Sequence, residues 1–227
     1  MNKEHILSKA REYAKMKLQN DASGHDWWHI FRVAEWAKRI AAEEGADSFI
    51  CELSALLHDL ADEKLVQSKD ESMEELKRWL FAHQVEMKDA EQVLDIIATL
   101  SFRGGHGEPM KSLEGQVVQD ADRLDAIGAI GIARTFAYSG WKGQAMYDPD
   151  LPVRTTMTPD EYRHGKSTAI NHFYEKLLTL KGRFNTPFAI QLAKERHVFM
   201  EQFLKQFFKE WNGMEEIKQD EIETYID

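Results

Sequence analysis

Apolar residues recur at the three- and four-residue spacing of an α-helix along almost the whole chain. Ile6, Leu7, Ala10, Tyr13 and Ala14 form one stripe, and Ile30, Val33, Ala34, Ala37, Ile40 and Ala41 form the next. Further stripes run through Cys51, Leu53, Leu56 and Leu57, through Met73, Leu76, Trp79 and Leu80, and through Val93, Leu94, Ile96, Ile97 and Leu100. Alternation with a period of two is almost absent, so the pattern predicts an all-α protein. Residues 112–134 read as two short helices meeting near Gly128, whose missing side chain lets elements approach closely. Between Ser139 and Met157, glycine, proline and polar residues predict a long loop, a candidate lid. Thr158-Pro159-Asp160-Glu161 offers an N-cap, a proline for the first turn and a capping-box glutamate, predicting a helix from there to about Lys181. Asn185-Thr186-Pro187 starts a last helix carrying Ile190, Leu192, Ala193, Val198, Phe199, Phe203, Leu204 and Phe207. The expectation is one helical domain over 1–213, with C-terminal helices in 158–213 and a fraying acidic tail, 214–227. No repeat, heptad run or low-complexity block suggests a second unit.

Composition narrows the classes. With 43% hydrophobic and 30% charged residues, twelve Phe and six Trp, the chain is globular in character. A formal charge of -10 gives no counterion-release drive toward long nucleic acid. A small phosphorylated ligand then calls for a metal or a local cluster of cations. Cys51 is the one cysteine, which excludes an internal disulfide and a thiolate zinc cage. The first residues lack an apolar signal core, and no window approaches the ~18 apolar residues of a membrane span. These features predict a cytoplasmic protein with no membrane partner; a homodimer stays open.

His58-Asp59 ends an apolar helical run, ALLHDLAD, where both ionisable side chains are drawn toward the core beside Leu56, Leu57 and Leu60. A buried His-Asp pair needs a partner, and a divalent cation satisfies both at once. His29, in HDWWHIFRV, lies close to the apolar face marked by Ile30 and Val33. In VVQDADRLDAIGAIG, Asp122 and Asp125 flank the stripe of Val117, Val118, Ala121, Leu124 and Ile127, where carboxylates again require an explanation.

The ordered set His29, His58-Asp59 and Asp122, with helices between, resembles the HD superfamily of metal-dependent phosphohydrolases over roughly residues 20–130. GHDWWHIFRV, LLHDLADEK and DADRLDAIGAIGIAR together resemble a subfamily of small bacterial HD hydrolases, and TAINHFYEKLL and RFNTPFA match that subfamily too. The resemblance implies a single-domain HD-type helical bundle with metal ligands His29, His58, Asp59 and Asp122. Two imidazoles and two carboxylates suit Mn²⁺ foremost, with Fe²⁺, Co²⁺, Ni²⁺, Zn²⁺ or Mg²⁺ as alternatives. On an octahedral ion two positions remain, one for water and one for a phosphate oxygen.

Asp62 follows Asp59 by about one helical turn and resembles the acid or base of HD nucleotidases; Glu63 beside it is an equal candidate. Lys64 and Arg123 are candidate phosphate partners, with Arg32 and Lys166 behind them. Asp125 is expected to orient a ligand histidine or Arg123 rather than bind metal itself. His25 and Asp26 could contact substrate, support the site or cap a helix, and His106 sits in a glycine-rich loop. Gly165-Lys166-Ser167 ends like a phosphate-binding loop but lacks its first glycine and preceding strand. The Trp27-Trp28 pair reads as core rather than a base-stacking platform, and His172 and His197 read as packing or surface. The expected activity is metal-dependent hydrolysis of a small phosphorylated substrate, foremost a nucleoside triphosphate cleaved to monophosphate and pyrophosphate. A nucleoside-monophosphate phosphatase, a cyclic-nucleotide phosphodiesterase and a non-catalytic metal- and nucleotide-binding sensor are the alternatives.

Overall fold

The computed structural model describes residues 2–18, 26–61, 68–100, 109–154, 156–158 and 165–213. It is all-α, with no strand among the described residues. The first seven helices are α1 (Lys3–Leu18), α2 (Trp27–Glu44), α3 (Ser48–Leu57), α4 (Lys69–Ala82), α5 (Met87–Thr99), α6 (Leu113–Asp125) and α7 (Gly128–Lys142). A single 3₁₀ turn, His58–Ala61, continues α3. After α7 come α8 (Ala169–His172), a π turn (Phe173–Leu177), a 3₁₀ turn (Leu178–Arg183) and the long α9 (Pro187–Trp211). None of the described helices is long and apolar enough to cross a membrane.

The centre of the bundle is α3, buried from Phe49 to Leu57, with α2 and α6 packed on it and on each other. A helix that is apolar all round has no solvent face to give up, so it belongs in the middle. Its one buried charge, Glu52, is met by Arg11 of α1. Side-chain caps fix where the helices begin. Asp26 accepts the His29 N–H at 2.9 Å, Asp47 those of Phe49 and Ile50, and Ser112 that of Gly115. Gly45 ends α2 in the left-handed region with φ 73°. Gly128 opens α7 at φ +74° under the Arg196 side chain, where a Cβ would lie 3.0–3.2 Å from Arg196 carbons. That is the close approach its sequence position suggested.

The C-terminal half departs from its sequence pattern. α7 continues through Lys142, four residues into the stretch expected to be loop, because Gly143 supplies the left-handed cap. Ser167 and Thr168 are not helical, and α8 starts only at Ala169, where Thr168 Oγ1 accepts the Asn171 N–H at 3.0 Å. The expected cap at 158–161 falls mostly outside the described residues. The loop after α7 is strapped to α8: the N–H groups of Ala169 and Ile170 donate to the carbonyls of Ala145 and Met146. Asn171 Nδ2 bonds the Leu151 carbonyl, and Arg154 pairs side-on with the buried Glu175, which Ser167 also contacts. The motif TAINHFYEKLL is therefore a set of fasteners one turn apart.

Thr186 makes no side-chain cap for α9; the cap comes from another helix. The buried Asp120 of α6 accepts the backbone N–H groups of Asn185 (2.9 Å) and Thr186 (2.8 Å), the Thr186 hydroxyl (2.9 Å) and Asn185 Nδ2 (2.8 Å). A carboxylate against the positive end of a helix, with several donors on its oxygens, ties α9 to α6 and the central helices. Asp120→Ala leaves those buried donors without an acceptor and is expected to cost about 3 kcal/mol of stability. Thermal melting checks this; a melting temperature equal to that of the parent would show that Asp120 is not the joint.

Candidate metal centre

Each of the three central helices ends or begins at one place. His29 sits in the first turn of α2, His58 and Asp59 form the turn that leaves α3, and Asp122 and Asp125 occupy the last turn of α6. Their side chains converge. His29 Nε2 lies 3.4 Å from Asp59 Oδ2 and 3.5 Å from Asp122 Oδ1; His58 Nε2 lies 3.2 Å from Asp59 Oδ1 and 3.9 Å from Asp122 Oδ1. One ligand atom from each of His29, His58 and Asp59 fits within 4.8 Å of the others. These three are buried, whereas the Asp122 side chain is 37% exposed and gives the cluster its solvent side.

The outer nitrogens decide what the inner ones can do. His58 Nδ1 lies 2.8 Å from the Ala55 carbonyl, an acceptor only, so Nδ1 carries the proton. His29 Nδ1 lies 2.7 Å from Asp125 Oδ2, and the same reasoning applies. Burial and the nearby Arg134 charge lower the His29 pKa, against the upward pull of Asp125, Asp59 and Asp122. A neutral imidazole with Nδ1 protonated turns its Nε2 lone pair toward the carboxylates. The cluster therefore gathers lone pairs and negative charge, the donor set of a divalent cation.

Asp125 is itself clamped. Arg32 donates Nε to its Oδ1 (2.6 Å) and Nη2 to its Oδ2 (3.0 Å), and Arg134 Nη1 donates to Oδ2 at 2.8 Å. Burial pushes the Asp125 carboxyl up, but the bonds from His29 and Arg32 and the Arg134 charge outweigh it and hold it well below the usual carboxylate range. Asp125 thus orients His29, one of the two roles its sequence position suggested; Arg123 instead donates to the Arg183 carbonyl. Arg32, a candidate phosphate partner in the sequence, spends two donors on Asp125. Arg134 escaped notice because it lies nine residues beyond Asp125, across a helix break that spacing rules do not bridge.

The remaining candidates separate. Asp26 is a helix cap, and Lys166 is exposed. His25, Asp62, Glu63, Lys64 and His106 lie outside the described residues. His197 is buried beside Glu201, as a packing residue is. The tryptophan pair splits: Trp27 packs against the core, but Trp28 is 59% exposed.

A family model described as HD domain matches residues 27–127. YpgQ of Bacillus subtilis is 42% identical over 207 residues, spanning 90% of this chain and 93% of YpgQ. Among solved structures, a Lactobacillus plantarum protein shares 44% identity and a TM-score of 0.83, covering 94% of this chain and all (100%) of its own. YpgQ in complex with ADP shares 40% with a TM-score of 0.76, covering 92% and 97%. An HD-superfamily hydrolase from Bacillus thuringiensis shares 46% with a TM-score of 0.75, covering 93% and 99%.

Removing Asp125 strands two guanidinium groups and an imidazole N–H at a buried junction. Asp125→Ala is expected to lower the stability of metal-free protein by roughly 3–5 kcal/mol, and Asp125→Asn by less. Urea unfolding in the presence of a chelator measures it. An Ala variant as stable as the parent would remove Asp125 from its place as the clamp.

Proposed function

This chain belongs to the HD-domain family, and from that premise we propose that it is a metal-dependent phosphohydrolase acting on a nucleotide. The observation that carries the reading is the convergence of two Nε2 lone pairs with the carboxylates of Asp59 and Asp122. His29, His58, Asp59 and Asp122 would hold one divalent ion, Mn²⁺ foremost. When bound, the ion supplies Lewis acidity, which lowers the pKa of water and neutralises charge at phosphorus.

The protein's own residues do the rest. Asp125 keeps His29 in the Nδ1-protonated tautomer and fixed in rotation, and the Ala55 carbonyl does the same for His58. Asp62 or Glu63, following closely on the buried turn, is the candidate to move the proton of the attacking water. Lys64 and Arg123 are the candidates to offset phosphate charge. Positioning and charge neutralisation suffice for phosphoryl or nucleotidyl transfer, so no covalent nucleophile is required. The ADP bound to YpgQ supports a nucleotide ligand here. The bond we favour is the α–β phosphoanhydride of a nucleoside triphosphate, giving monophosphate and pyrophosphate.

His58→Ala or Asp59→Ala is expected to remove most of the bound metal and activity, as read by elemental analysis and product assays; retention of both would refute the ligand set. With Mn²⁺ and a nucleoside triphosphate in ¹⁸O-water, a single label is expected on the monophosphate. Label in orthophosphate would indicate a phosphatase instead. A protein that binds metal and nucleotide but turns over no mono-, di-, tri- or cyclic nucleotide would be a sensor.

A further inference from the structure

We propose that the outer flank of α2, formed by Trp28 and Arg32, is the edge that grips the nucleotide, with Arg32 on the phosphate chain and Trp28 stacked on the base. The inference rests on the nucleotide reading above and assigns two residues of this chain to the two halves of that ligand.

Trp28 and Arg32 stand four residues apart on α2, which places them on one strip of the helix. His29, between them in sequence, is turned inward to the cluster, and Arg32 bonds the same Asp125 that holds His29. Arg32 is only 29% exposed, and its guanidinium plane is fixed because Nε and Nη2 are both spent on Asp125. Nη1, on the opposite edge, makes no hydrogen bond among the described residues. A guanidinium set in one orientation, with a free N–H edge, is a prepared phosphate donor.

Local charge points the same way. Arg32 and Arg134 both bond the carboxylate of Asp125. Two guanidinium groups thus gather beside the cluster in a chain whose formal charge is -10, with the Asp26 carboxylate also acting on Arg32. An anion held at the cluster has a cation to meet on this side.

Trp28 accounts for the other end of the ligand. Its indole is 59% exposed at the start of α2, and Phe31, itself 40% exposed, meets it at 82° with centroids 6.0 Å apart. The neighbouring Trp27 is packed against the core, so the fold could bury an indole at this turn, yet it leaves Trp28 out as an aromatic ledge. A ledge beside a fixed cation and a metal centre matches a molecule that has a π-face at one end and phosphates at the other.

Calorimetric titration of the full-length protein with Mn²⁺ present, using ADP and pyrophosphate as probes, separates the two roles. Trp28→Ala is expected to weaken ADP roughly tenfold while leaving pyrophosphate unchanged, and Trp28→Phe to restore most of the loss. Arg32→Gln is expected to weaken both probes roughly tenfold, with bound Mn²⁺ as in the parent by elemental analysis. If thermal melting shows Arg32→Gln to be unfolded, Arg32→Lys keeps a cation on Asp125 and should still weaken both probes. Unchanged ADP affinity in Trp28→Ala, or an equal loss of pyrophosphate, would overturn the base contact. Parental affinities in a folded Arg32 variant would overturn the phosphate contact. A parent protein that binds Mn²⁺ but neither probe would overturn the nucleotide reading itself, and this edge with it.

Discussion

One buried carboxylate, Asp125, joins three helices. From the end of α6 it takes the His29 imidazole and Arg32 guanidinium of α2 and the Arg134 guanidinium of α7. An ionised carboxylate out of water is costly unless its lone pairs are filled by charged or strong donors, and here they are. The consequence runs outward in two directions. Toward the core, the clamp sets the start of α2 against the end of α6. Toward the site, it fixes which His29 nitrogen carries a proton and where the other points.

The three aspartates of the α6 segment QDADRLD divide the labour by their positions around the helix. Asp120 faces the C-terminal half and binds the start of α9; Asp122 faces the metal cluster and solvent; Asp125 faces α2 and α7. A single helix thus sets the second half of the chain, the cluster and the tautomer of one of its histidines relative to one another. Glu175 plays the corresponding part outside the centre, where its pairing with Arg154 straps the long loop to the turn after α8.

How much of this could be read from the sequence depended on range. Stripes such as Ile30, Val33, Ala34 and Ala37 report a local period, so the helices and the all-α class were readable. The set His29, His58, Asp59 and Asp122 was readable through its ordered resemblance to the HD superfamily; His58 and Asp59 alone stood out locally, as ionisable residues ending an apolar run. What could not be read were pairings over long separations. The bond from Asp120 to Thr186 spans 66 residues and that from Arg32 to Asp125 spans 93, and no local pattern encodes either. The start of α8 at Ala169 depends in part on hydrogen bonds that Ala169 and Ile170 donate to the carbonyls of Ala145 and Met146, which no local pattern announces. Trp28 was read as core because its spacing resembles that of Trp27; which of two adjacent aromatics faces solvent depends on how α2 is rotated in the bundle.

The outer hydrogen bonds of the cluster preset it for a cation before any ion arrives. Among the nine histidines, His29 and His58 should therefore share one signature in ¹⁵N-resolved NMR of metal-free protein at neutral pH. The predicted result is a neutral ring with Nδ1 protonated and Nε2 bare in both, and a shift of those two Nε2 signals when diamagnetic Zn²⁺ is added. An Nε2-protonated or doubly protonated ring at either position, or Nε2 signals indifferent to Zn²⁺, would contradict it.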